Sequence, residues 1–126
     1  MVILVDGEDT TIRFQLKVPK GFQDLVRAQV IVVQIATAAS PNMQWSTTTD
    51  FGGICLDEAY NLHSDAETDQ VTALTQNDLE CVDISGSLDG IVAEDLVGIT
   101  FIRRGGEAGD EVDADVYYLG ARFHYV

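Results

Sequence analysis

Apolar and polar residues alternate with a period of two in short runs, and turn residues break the runs apart. Residues 11–18 show the pattern most cleanly: Ile12, Phe14, Leu16 and Val18 alternate with Arg13, Gln15 and Lys17. Successive side chains of a strand point to opposite faces, so this segment predicts a half-buried antiparallel strand, ended by Pro19-Lys20-Gly21. Residues 26–37 are β-branched and apolar on both faces around Val30–Val33. A central strand covered on its outer side by a long loop or a second subunit reads this way. Ile31, Val33 and Ile35 are therefore expected at an oligomer interface.

Further strands follow. Residues 43–49 put Met43 and Trp45 on one face, and Phe51-Gly52-Gly53-Ile54 reads as a bulge or bend. Residues 57–69 are polar and acidic, predicting a loop that carries Tyr60 and His63. Residues 70–75 and 79–84 read as weaker strands, and residues 57–80 hold the one stretch with partial helical character. Residues 96–103 turn Val97, Ile99 and Phe101 inward, and residues 105–110 form a flexible, Gly-rich loop. In the last strand, 116–126, Tyr117, Leu119, Ala121, Phe123 and Tyr125 share one face, with Val116, Tyr118, Arg122 and His124 on the other. Seven or eight short strands between turn signals predict an all-β sandwich or barrel. One domain is expected over 11–126, with residues 1–10 as a first strand or an N-terminal arm.

At 126 residues and 46% hydrophobic, the chain can build a core without metal or disulfide. No apolar run approaches the ~18 residues of a membrane span. The Met1–Val5 run is too short for a signal-peptide core, so synthesis in a cytoplasm is expected.

Charge changes the picture most. Twenty-one acids against seven bases give a net −14, a surface that repels phosphate backbones and anionic membranes. Arg13, Lys17, Lys20 and Arg27 lie near the start and Arg103, Arg104 and Arg122 near the end, while residues 50–95 carry twelve acids and no base. The pattern fits a solvated acidic surface, a polar molecule whose basic end docks on an acidic partner, or acidic loops that bind cations.

Catalytic chemistry finds little support. His63 and His124 are the only histidines, and neither sits in a nucleophile motif. There is no phosphate-cradling Gly-rich loop. Asp65, Glu67 and Asp69, and again Asp110, Glu111, Asp113 and Asp115, supply oxygen ligands, but neither cluster has the glycine and terminal glutamate of a Ca²⁺-binding helix–loop–helix. No cofactor, metal or enzymatic activity is expected. Cys55 and Cys81 follow no metal-ligand spacing; they read as small buried apolar residues, with pairing left open.

The C-terminal half carries a resemblance. The segment Gly90-Ile91-Val92-Ala93-Glu94-Asp95-Leu96-Val97, the strand Ile99-Thr100-Phe101-Ile102-Arg103-Arg104, the acidic Gly-rich loop and the end Asp115-Val116-Tyr117-Tyr118-Leu119-Gly120-Ala121-Arg122-Phe123-His124-Tyr125 resemble small virion surface proteins of tailed bacteriophages. That likeness implies a jelly-roll sandwich and a non-enzymatic role on the virion, as a capsid decoration (cement) protein or a fibre or baseplate domain. The expectation is a homotrimer that binds the major capsid protein and stabilises its lattice by linkage. Docking is expected through the N-terminal arm and Arg13, Lys17, Lys20, Arg27, Arg103 and Arg104. Deleting residues 1–9, or reversing Lys17 and Lys20, should then abolish docking and leave the fold intact. The alternative is a carbohydrate-binding module using Trp45, Tyr60 and Tyr118 as aromatic platforms, in which Trp45→Ala would abolish glycan binding.

Overall fold

The structure, a computed structural model, describes residues 2–126. It contains eight strands: β1 (Val2–Leu4), β2 (Asp9–Lys17), β3 (Leu25–Gln34), β4 (Asn42–Gly53), β5 (His63–Ala73), β6 (Glu80–Asp83), β7 (Asp95–Arg104) and β8 (Val116–Tyr125). A single 3₁₀ turn, Ser85–Ser87, is the only helical element among the described residues. The strands form two four-stranded sheets, β1-β8-β3-β6 and β2-β7-β4-β5, here called the first and second sheet. All pairings are antiparallel. β1 pairs with β8, β2 with β7, β3 with β6 and β4 with β5, so the chain is one long hairpin rolled into two layers. This is the jelly-roll sandwich.

The core follows from the alternation. Ile12, Val97, Ile99 and Phe101 of the second sheet, with Val18 just past the end of β2, pack in one core with Ala28, Val30, Val32, Val82 and Val116 of the first, all buried. Trp45 stacks on Phe101 with ring centroids 5.6 Å apart, and its indole N–H donates to Thr72 Oγ1 at 2.9 Å. Burying a tryptophan is favourable where its N–H finds such a partner.

Three departures from the expected pattern have local causes. Residues 63–69 are strand rather than loop. β5 is an edge strand with most side chains wet, so it shows no core-facing alternation, and its backbone is held by β4 alone. Charged edges of this kind resist strand addition by another chain. No part of 57–80 is helical. The face assignment of β8 fails because of a bulge: Val32 pairs with Tyr118 but Ile31 with Gly120, leaving Leu119 as the extra residue. Before the bulge Val116 and Tyr118 point inward; beyond it Ala121 and Phe123 do. Residues 2–4 are a true first strand, not a free arm, and Leu4 is fully buried.

β5 also holds Glu67 beside the 3₁₀ turn, where its Oε1 is buried without a hydrogen-bond partner. Burial is the main cause raising its pKa above the usual carboxylate value; Asp83 and Asp65 add to this, and the Ser87 and Gly86 backbones oppose it. A pKa raised by folding stabilises the native state below the unfolded value and loses that contribution as pH rises through the folded value. Glu67→Gln should therefore stabilise the protein at pH 7, by on the order of 0.5 kcal/mol, and lose its advantage on acidification below the ordinary carboxylate range. Thermal melts at the two pH values check this.

Candidate functional site

Two outer sheet faces offer different chemistry. On the first sheet, strand register sets Ile3 beside Tyr117 and Tyr117 beside Val33, with Ile31 flanked by Gly120 and Cys81. Leu79, one residue before β6, and Ile35, one after β3, extend the patch and are 68% and 50% exposed. Ile3 is 45% exposed, so the apolar surface is open to solvent, while Val33 is screened by its neighbours. The doubly apolar run of β3 is thus explained: Val30 and Val32 enter the core, and Ile31 and Val33 lie on this outer face. At the other end of the same face stand Gln29 opposite Arg122 and Arg27 opposite His124.

The six basic residues expected to form one docking surface do not meet. Arg13 and Lys17 are exposed on the outer face of the second sheet, Lys20 follows in the β2–β3 turn, and Arg27 is exposed on the first sheet. Arg104 is held by its own acids, with Nε 3.1 Å from Asp9 and Nη2 3.1 Å from Glu107; the hydrogen bond to Glu107, then the charge of Asp9, raise its pKa.

Arg103 is not a surface residue at all. It continues the inward parity of Val97, Ile99 and Phe101 and is fully buried. Its Nε and Nη2 form a forked pair with Asp110 at 3.1 and 2.9 Å. Nη1 donates to the carbonyls of Leu4 and Ala114, both at 2.8 Å, and Nη2 to that of Val112 at 2.6 Å. All five guanidinium donors are used. Arg103 therefore ties β1 and the β7–β8 loop to β7, and the Gly-rich loop expected to be flexible is anchored at its acidic end.

The acids of that loop have similar internal duties. Asp110 also accepts from the Gln44 amide, Asp113 from the Ala39 amide and Asp115 from the Asp6 amide. They cap neighbouring backbone rather than converge on a point. Among the described residues no group of three or more His, Cys, Asp or Glu is placed to hold a metal ion. His63 packs against Phe51 at the start of β5, and His124 is exposed on β8. Cys55 and Cys81 are both exposed and unpaired, contrary to their reading as buried residues. No helix among the described residues is long and apolar enough to cross a membrane.

The second sheet carries a cleft of about 590 Å³ on its outer face. Register builds it: Gln15, Gly98 and Asp50 stand side by side, and Arg13 and Thr100 form the next row. Leu96 and Tyr60 close one end. Tyr60 is positioned by the β4–β5 loop, which folds back over Gly52 and Gly53. The Gly53 amide donates to Glu58 Oε2 at 2.6 Å, and a Cβ on Gly52 would collide with the Ala59 carbonyl oxygen. The strand runs straight through both glycines without a bulge, and they are required because the loop sits on them.

Of the three aromatic residues named as sugar platforms, only Tyr60 stands free, at 77% exposure. Trp45 is a core residue, 3% exposed, so Trp45→Ala would report on folding instead of binding. Tyr118 is half-buried, stacks on Phe14 at 6.1 Å, and has its pKa raised by burial. Comparison with family models, curated proteins and solved structures returns no match for this chain.

Proposed function

We propose that the chain is a non-enzymatic structural protein of a virus particle, a capsid decoration protein that assembles as a homotrimer and seats on the major capsid lattice. The outer face of the first sheet forms the contact between copies. One observation carries this reading: a molecule of net −14 keeps a solvent-open apolar surface, Ile3, Tyr117, Ile31, Ile35 and Leu79, while the acid that register sets on the same face, Asp83, stands beyond Cys81 opposite Gln29 and accepts hydrogen bonds from Ser85. Copies of so acidic a protein repel one another over most of their surface, and this apolar patch is where contact between them offsets that repulsion. Contiguous exposed apolar surface marks an interaction site. Jelly-roll architecture and the resemblance to phage virion proteins support the particle setting.

Arg13, Lys17, Lys20 and Arg27 are all exposed and without an ion pair among the described residues, and Lys17 and Lys20, close together at the end of β2, are assigned the capsid contact. Arg103 takes no part, being consumed inside the fold.

Two measurements test the reading. Light scattering coupled to size exclusion should give a trimer for the parent and a monomer for Ile35→Asp/Leu79→Asp, which should still melt cooperatively because both positions are exposed, at a midpoint lowered only by the lost association. Capsid binding should fall with the trimer, since linked copies bind far more tightly than single ones. A monomeric parent, or a double variant that keeps the parental mass, overturns the interface. Full decoration by Lys17→Glu/Lys20→Glu overturns the capsid contact separately.

A further inference from the structure

We infer that the cleft on the outer face of the second sheet is a binding site for a neutral saccharide. Its floor is open because Gly98 occupies the centre of the sheet: a Cβ built there meets only the Asp50 carbonyl oxygen, at 3.8 Å. Any larger residue at that position would fill the cleft without disturbing the core. Around the gap stand three planar polar groups, the guanidinium of Arg13, the amide of Gln15 and the carboxylate of Asp50. Neither Arg13 nor Asp50 forms an ion pair among the described residues, although they stand in adjacent rows. Their donors and acceptors are therefore free for a ligand.

The chemistry selects the ligand class. Adjacent sugar hydroxyls each donate and accept, and planar side chains with paired polar atoms engage two neighbours at once. The C–H face of a pyranose is apolar and stacks on an aromatic ring; Tyr60 offers such a ring at the rim, 77% exposed. The volume, about 590 Å³, lies within the range of small-molecule sites. A net −14 surface disfavours acidic polysaccharides, which leaves uncharged ones. The cleft and the proposed copy-to-copy face lie on different sheets, so both can be occupied together.

The test is a screen of the full chain against an array of neutral mono- and oligosaccharides, followed by titration calorimetry with the best binder. Gly98→Leu, which fills the floor, and Tyr60→Ala, which removes the stacking ring, should each weaken that binding by about tenfold or more. Both variants should melt like the parent and still decorate capsids, which separates this site from the assembly reading. The inference is overturned if no neutral saccharide binds, if the best binder is held equally by both variants, or if only peptide ligands compete for the cleft.

Discussion

Replacing Arg103 with methionine is expected to lower the unfolding free energy by roughly 3–5 kcal/mol. Methionine replaces the unbranched apolar stem of the side chain but supplies none of its five hydrogen bonds. Asp110, whose side chain is 1% exposed, would remain buried without its forked partner, since the other acid near Arg103, Asp6, lies 4.0 Å from it and is itself an anion. The carbonyls of Leu4, Val112 and Ala114 would lose their donor too, and each buried polar group left unpaired costs about 1–3 kcal/mol. Arg103→Lys should fall between the two, because an ammonium with three donors cannot reproduce a planar fork. Arg103→Met/Asp110→Met should recover part of the loss by removing the stranded carboxylate, while the three carbonyls stay unsatisfied. Urea titrations followed by Trp45 fluorescence measure all three. A midpoint unchanged in Arg103→Met would mean that this buried network contributes nothing.

The second large effect concerns the N-terminus. Deleting residues 1–9 should leave the chain mostly unfolded rather than folded and merely unable to dock. The deletion removes β1, whose Leu4 is fully buried, and burial of one such side chain alone is worth about 2–5 kcal/mol. It removes the ladder to β8 and leaves Tyr117 and Tyr118 on a new, open sheet edge. It also takes away one of the acceptors of Arg103 and the Asp6 amide that binds Asp115. Against a typical total of about 5–15 kcal/mol for a domain, these losses are decisive. Circular dichroism and the spread of amide proton shifts report the outcome. A truncated protein that melts cooperatively at the parental temperature would show that β1 is dispensable.

Much of the fold was legible because strands buried on one face announce themselves. β2 and β7 alternate without error, and the turn residues between strands are where the chain reverses. Arg103 was legible too, on strict parity with Val97, Ile99 and Phe101, and Asp110 supplied an acid within the following loop. Reading it as a surface base gave its charge more weight than its position. Only the end of β5 was legible, within the weak strand read over 70–75; residues 63–69 were missed because an edge strand wet on both faces has no alternation to read. The β8 bulge was hidden for a different reason: one inserted residue reverses every later side chain without changing composition. The cleft was the least accessible feature. Gln15, Gly98 and Asp50 are far apart in the chain and become neighbours only through the pairing of three strands. Tyr60 could be named as an exposed aromatic, but nothing local told which surface it would overhang.

The placement of Arg103 has a consequence for proteolysis. From Ala28 to Ile102 the chain offers trypsin no lysine or arginine, and the bond after Arg103 is closed while the guanidinium is buried and its strand is paired on both sides. Cleavage there requires the sandwich to open. When opening and closing are fast relative to cutting, the rate of release of the Ala28–Arg103 fragment measures the population of the open form. The protein thus carries its own internal gauge of global opening, one that any bound lattice, second copy or ligand would slow in proportion to its affinity for the closed state.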